Sequence, residues 1–207
     1  MKKHFIAIEG PIGVGKSSLT HQLCQTYNFY ESKEIVDENP FLSDLYEDIS
    51  KWGFQTEMFF LCNRYKQLQD LAHIEQGIIS DYHIHKNKIF ARQTLTTAEF
   101  NKFNRIYDIL TEDLMMPDTI IFLDADLEVL KSRIQKRNRS FEHHIEDSYL
   151  LDLKAAYQDF YEALKAEGAN VIQINTSDLD FVGKSEDYDY ILKLIEPLIG
   201  GTTHESI

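Results

Sequence analysis

The sequence predicts an α/β fold in which a five-stranded parallel sheet carries helices on both faces. Three observations point there. Short runs that are apolar at nearly every position read as strands buried on both sides. Helix-length segments separate these runs, as the crossovers between parallel strands require. A glycine-rich turn also follows the first run directly and opens a helix.

Taken in order, Phe5–Ile8 is the first strand, and residues 10–17 lead from it into a helix over Ser17–Tyr27. Glu34-Ile35-Val36 is a short candidate for the second strand. Phe41–Tyr46 and Thr56–Ala72 show helical spacing, the latter with Phe59, Phe60, Leu61, Tyr65, Leu68 and Leu71 on its apolar faces. Gly77–Asp81 is a third strand that ends in an acid. Thr97–Met116 is mostly helical and stops before Pro117. Thr119–Asp124 is the clearest strand of all, followed by helices over Leu127–Arg137 and Ser148–Ala166. Asn170–Ile174 is the fifth strand, and Tyr188–Ile199 a closing helix. Residues 1–207 read as one domain without repeat or linker, with 200–207 as a frayed tail. Parallel sheets bind ligands beyond the carboxyl ends of their strands, which puts segments 10–17, 34–40 and 81–87 along one rim.

The composition, 43% hydrophobic and 27% charged, is that of a globular domain and not of a disordered chain. With 34 acidic against 21 basic residues the formal charge is −13, a surface that repels a polyanion and argues against a nucleic-acid partner. Cys24 and Cys62 are the only cysteines and form no CxxC pair, so no disulfide framework or cysteine metal site is expected. The apolar start is short and interrupted by Glu9, and no later run approaches membrane length. A soluble, cytoplasmic protein without a membrane partner is expected.

Gly10-Pro11-Ile12-Gly13-Val14-Gly15-Lys16-Ser17, with Ser18 next, matches the phosphate-binding loop pattern in the required strand–turn–helix setting. Its glycines let backbone N–H groups turn inward around phosphates, and the helix N-terminus adds positive potential. Lys16 is expected to reach the terminal phosphates of ATP and Ser17 to ligate Mg²⁺. The Asn-Lys-x-Asp guanine reader of GTP-dependent switches does not occur. The Asp-x-x-Gly pattern at Asp180–Gly183 comes too late in the chain for such a switch.

Several further motifs resemble the deoxynucleoside kinase family, in particular its bacterial deoxyguanosine/deoxyadenosine branch. They are Glu34–Phe41, Trp52–Leu68, Ser80–Ala91, Arg133–Glu142 and Asp180–Val182, and with the loop they span most of the chain from Phe5 to about Ile195. The resemblance implies a P-loop kinase fold with an arginine-rich lid and a homodimer formed near Thr56–Ala72 and Thr97–Met116. It makes Glu34 the general base for a sugar 5′-hydroxyl, with Asp37 and Glu38 as neighbouring rivals. Phe54 would stack on the nucleobase and Gln55 hydrogen-bond to it, an amide being both donor and acceptor. Tyr46 and Glu142 would hold the 3′-hydroxyl. Arg133, Arg137 and Arg139 would form the lid that clamps phosphate oxygens, Arg137 and Arg139 in catalysis, as guanidinium groups are suited to do. Arg64 would stand near the acceptor, Asp81 would share the metal with Ser17, and Asn87 would face the base. Asp180, Phe181 and Val182 would contact the adenine of ATP.

Tyr82 departs from this pattern, because it stands where the family usually has an arginine shared by the catalytic carboxylate and the phosphate. Arg64 or a lid arginine is the candidate replacement. His83, His85, His143 and His144 are expected to be packed or surface histidines. The implied acceptor is a purine deoxynucleoside, deoxyguanosine ahead of deoxyadenosine. The rivals are a nucleoside-monophosphate kinase and a non-catalytic nucleotide-binding switch.

Overall fold

A computed structural model of the chain describes residues 4–36, 38–139, 142 and 145–199, with the side chain of Tyr46 left aside. His143, His144, Asp37 and the tail 200–207 lie outside these residues. The strands are β1 (Phe5–Glu9), β2 (Tyr30–Ser32), β3 (Ile78–Ser80), β4 (Thr119–Asp124) and β5 (Val171–Asn175). They form one five-stranded sheet in the order β2-β3-β1-β4-β5. Every pairing is parallel, with Ile6 opposite Ile79 on one side of β1 and opposite Thr119 on the other.

The helices are α1 (Lys16–Tyr27), α2 (Leu42–Glu47), α3 (Ile49–Leu71), α4 (Lys86–Thr94), α5 (Thr97–Thr111), α6 (Leu127–Arg137), α7 (Asp147–Ala166) and α8 (Ser185–Ile199). Side chains alternate across the sheet, so an all-apolar strand feeds two cores at once. Ile6 and Ile8 of β1, with Ile121 and Leu123 of β4, pack against Leu19 and Leu23 of α1 and Ile191 and Ile195 of α8. On the opposite face Ala7, Ile120 and Phe122 meet Leu153, Tyr157 and Phe160 of α7. Phe5 and Ile78 meet Leu61 and Leu68 of α3 and Phe103 of α5. Burial on both faces explains the absence of alternating polar positions. Among the described residues, no helix is long and apolar enough to cross a membrane.

Three expectations need correction. The second strand is Tyr30–Ser32, not Glu34–Val36. It is a three-residue edge strand anchored by Tyr30 N–H on Gly77 O at 2.7 Å, while residues 34–36 leave the sheet toward the rim. Helix α3 starts at Ile49, seven residues before the predicted Thr56, because the Asp48 side chain caps it by accepting from Lys51 N–H at 3.1 Å. Gly53 does not interrupt α3: a Cβ there would come within 2.8 Å of Thr94 O, so the glycine lets α4 pack closely. Helix α5 stops at Thr111 and not at Met116; Glu112 and Asp113 follow, where negative charge opposes the helix dipole.

Candidate active site

The carboxyl ends of β1, β2 and β3 open into a cavity of about 550 Å³. Its floor is the loop from Gly10 to Gly15. Gly10 has φ +142°, and a Cβ on it would lie 2.2 Å from Leu123 O; at Gly15 (φ +104°) a Cβ would meet the ring of Phe181 at 2.8 Å. Only glycine fits these positions, and the first turn of α1, with no side-chain cap at Gly15, has backbone N–H groups without intrahelical partners. Lys16 Nζ folds back over the loop and donates to Gly10 O at 2.7 Å and to Pro11 O at 3.0 Å. Burial, reinforced by the nearby Lys86 charge, lowers the Lys16 ammonium to about 8, with Glu9, Glu34 and Asp81 opposing the shift.

Across the cavity stands Glu34, just past the end of β2. Its Oε1 accepts from Arg64 Nε at 3.0 Å and also from Arg64 Nη2. Its Oε2 accepts from Lys86 Nζ at 2.7 Å. Burial alone would raise the Glu34 carboxyl, but the Lys86 and Arg64 charges and hydrogen bonds outweigh it and hold the group well below the usual carboxylate range. Arg64 is matched in turn: burial works against its charge, yet Glu34 beside it keeps its pKa raised. Arg64 lies over the Phe60 ring at 4.7 Å and Lys86 over Phe90 at 5.3 Å, so each cation is held by an aromatic face as well.

Asp81 joins the two halves. Its Oδ2 accepts from Ser17 Oγ at 2.6 Å and its Oδ1 from the Glu34 backbone N–H at 2.7 Å. One carboxylate therefore fixes the first turn of α1 and the segment that presents Glu34. Glu9, fully buried at the end of β1, accepts from the backbone N–H groups of Gly10 and His83 and so ties the loop to the start of the β3–α4 connection. Burial raises the Glu9 carboxyl, with Lys86 and Lys16 pulling the other way.

The predicted lid residues divide. Arg133 lines the cavity but is engaged as a strut, donating to Val14 O, Thr176 Oγ1, Thr176 O and Leu179 O at 3.2, 3.0, 2.8 and 3.1 Å. Arg137 pairs with Glu142, its Nε donating to Oε2 at 3.1 Å, and Arg139 Nη1 lies 3.9 Å from Glu142 Oε1. Arg137, Arg139 and Glu142 all line the cavity. Ile12, Gly13, Ser18, Asp180, Phe181 and Val182 line it as well, with Val182 exposed and Phe181 buried beneath Gly15.

Other expected residues are not brought to the wall. Gln55 is exposed on α3, and Phe54 is half-buried against the core cluster that includes Leu61 and Phe103. Asn87 is fully buried, its Oδ1 accepting from Arg64 Nη1 and its Nδ2 donating to Ile84 O at 3.0 Å, so both ends of the amide are engaged. Tyr82 is also buried away from the cavity, at 1% exposure. The side chain of Tyr46 lies outside the described residues. His85 stacks on Phe160 with ring centroids 4.0 Å apart and His83 packs beside both, in keeping with packed histidines.

Lys86 and Glu57 are among the cavity residues that have no counterpart in the site expected from the sequence. Lys86 opens α4, a helix missed because its Lys-Asn-Lys start offers no apolar spacing. Glu57 was hidden by the neighbouring Phe54-Gln55 pair, although its spacing of seven residues from Arg64 puts both on one face of α3.

Comparison with known proteins agrees with this geometry. The deoxynucleoside kinase family model matches residues 6–200. The chain is 43% identical to deoxyguanosine kinase of Bacillus subtilis, over 94% of this chain and 97% of that protein. It is 28% identical to deoxyadenosine/deoxycytidine kinase of the same organism, over 96% and 94%. The structure of deoxyadenosine kinase from M. mycoides with bound dATP superimposes with a TM-score of 0.81 at 26% identity, covering 93% of this chain and 99% of the other.

Proposed function

The chain belongs to the deoxynucleoside kinase family, and from that premise we propose that it transfers the γ-phosphoryl group of ATP to the 5′-hydroxyl of deoxyguanosine. One observation supports this most: a buried, ionised carboxylate, Glu34, faces the phosphate loop across a single cavity and is bound by two cations. Phosphoryl transfer asks for positioning and charge stabilisation, with a carboxylate to accept the hydroxyl proton. That is the donor and acceptor division of this site.

The lone pairs indicate how the nucleophile enters. Oε1 of Glu34 already receives two guanidinium hydrogens from Arg64. Oε2 receives only Lys86, which leaves it one free acceptor direction. The 5′-hydroxyl therefore donates to Oε2, beside the Lys86 ammonium. Lys86 thus takes the role of the arginine that Tyr82 replaces, at once orienting Glu34 and neutralising charge on the transferring group. Arg64 and Lys86 are both committed to Glu34, which speaks against an acceptor that brings its own phosphate.

Ser17 and Asp81 offer two hard oxygen donors beside Lys16, a set that suits Mg²⁺ completed by phosphate oxygens and water. When bound, the ion would neutralise phosphate charge. The Arg137–Glu142 pair would separate as nucleotides bind, freeing Arg137 for phosphate oxygens and Glu142 for the 3′-hydroxyl.

Steady-state transfer from ATP to each of the four deoxynucleosides tests the reading, with deoxyguanosine expected to have the highest kcat/KM. Faster phosphorylation of dGMP than of deoxyguanosine would overturn it. The same proposal includes a homodimer through α3 and α5, where Ile109 is 72% exposed. Light scattering is expected to give twice the chain mass, and a lower mass for Ile109→Glu.

A further inference from the structure

We infer that Glu57 is the residue that selects guanine, accepting the N1–H and the exocyclic N2–H of the base on its carboxylate. The inference rests on the nucleoside-kinase reading and goes beyond it in naming the atom set that sorts one base from another.

Glu57 lies on α3 at 2% exposure and lines the cavity. Its Oε1 lies 3.2 Å from the Thr94 hydroxyl, which Phe90 O also approaches at 3.0 Å, while Oε2 is buried and meets no donor. An acceptor withdrawn from water without a partner is costly, and a site built this way is completed by whatever supplies the donor. The nearby cations do not supply it, since Arg64 is engaged by Glu34 and Asn87 and Lys86 by Glu34. Val36, Leu42, Leu45, Phe60 and Phe90 make the neighbouring wall apolar, a seat for a flat heterocycle with the carboxyl group as a polar end.

The bases differ in what they offer such a group. Guanine presents two adjacent donors, N1–H and N2–H, which suit the two oxygens of a carboxylate, since Oε1 keeps a second lone pair beside Thr94. Adenine and cytosine pair an amino donor with a ring-nitrogen acceptor, and thymine sets a single N–H between two carbonyls. Burial pushes the Glu57 carboxyl up to about 7 against the opposing pull of Arg64, Thr94 and Lys86, a value that lets a bound base choose between acid and carboxylate. A base with two donors selects the carboxylate. One with a donor and an acceptor matches the neutral acid, whose hydrogen-bonding pattern glutamine reproduces.

The test compares kcat/KM with ATP for deoxyguanosine, deoxyinosine and deoxyadenosine on the parent protein and on Glu57→Gln. In the parent, deoxyinosine, which lacks only the N2 amino group, is expected to fall at least about tenfold below deoxyguanosine, since a hydrogen-bonding site rejects an analogue lacking the group. In Glu57→Gln the deoxyguanosine-to-deoxyadenosine ratio is expected to drop by about a hundredfold or more. Equal rates for deoxyguanosine and deoxyinosine in the parent would overturn the inference, and that arm needs no variant to fold. So would a variant that transfers phosphate with a ratio within twofold of the parent's. If the parent prefers deoxyguanosine while either result is seen, only the role of Glu57 falls. A parent that prefers deoxyadenosine overturns the deoxyguanosine reading together with it.

Discussion

Glu34→Gln is expected to lower kcat for deoxyguanosine by about 10³-fold, the middle of the range for loss of a general base. The amide keeps the shape of the carboxylate and still offers one oxygen, but it cannot take the hydroxyl proton. It also leaves Arg64 and Lys86 facing a neutral group in a buried setting, where an unmatched charge costs about 3–5 kcal/mol. A lower melting temperature is therefore part of the expected result, and turnover must be measured well below it. Lys86→Met separates the two effects. It keeps the base and its Arg64 bonds but removes the cation beside Oε2, with an expected loss of about 10²-fold in kcat. Parent-like turnover in Glu34→Gln would remove Glu34 as the base, and parent-like turnover in Lys86→Met would return the search for the second cation to Arg137 and Arg139.

That comparison also marks how far the sequence could be read. The apolar strands and the glycine-rich turn were legible because their signals are local: β1 and β4 are apolar at successive positions, and a loop pattern of fixed spacing needs no tertiary context. Strand β2 was not legible, since three residues of Tyr-Glu-Ser at a sheet edge carry neither alternation nor a continuous apolar run. In the site, Lys16, Ser17, Glu34, Arg64 and Asp81 were found from motifs and do line one cavity. The side chains that motif reading placed beside the base, Gln55 and Asn87, instead point to solvent and to the protein interior. The direction of a side chain on α3 depends on how far the helix is rotated about its axis. On α3 the close approach of Gly53 to Thr94 of α4 is a contact between residues 41 positions apart that no local pattern announces. Lys86 was missed for a related reason. It reaches Glu34 from the first turn of a helix, four residues beyond Tyr82, where the motif pattern puts an arginine.

The second large effect concerns Lys16. Its ammonium is engaged by Gly10 O and Pro11 O, and burial brings its pKa down to about 8. Phosphate oxygens arriving in the loop favour the charged form and raise that value again. The sign follows directly: between the free and the bound pKa, the free protein lacks the proton that the complex holds. ATP binding at pH 8.5–9 is therefore expected to take up a proton, approaching about one per site, whereas at pH 6.5 Lys16 is already charged and contributes no uptake. Isothermal titration in buffers of different ionisation enthalpy reads this number, and the apparent affinity for ATP should fall as pH rises above about 8. Lys16→Met should abolish the Lys16 share of the uptake and lower kcat/KM for ATP by about 10³-fold, since a preorganised charge aimed at the transferring group is lost. Proton uptake at pH 9 that is the same in the parent and in Lys16→Met would assign the titration elsewhere. Strong activity in that variant would place the phosphate charge on Arg137 and Arg139 and take it off the loop.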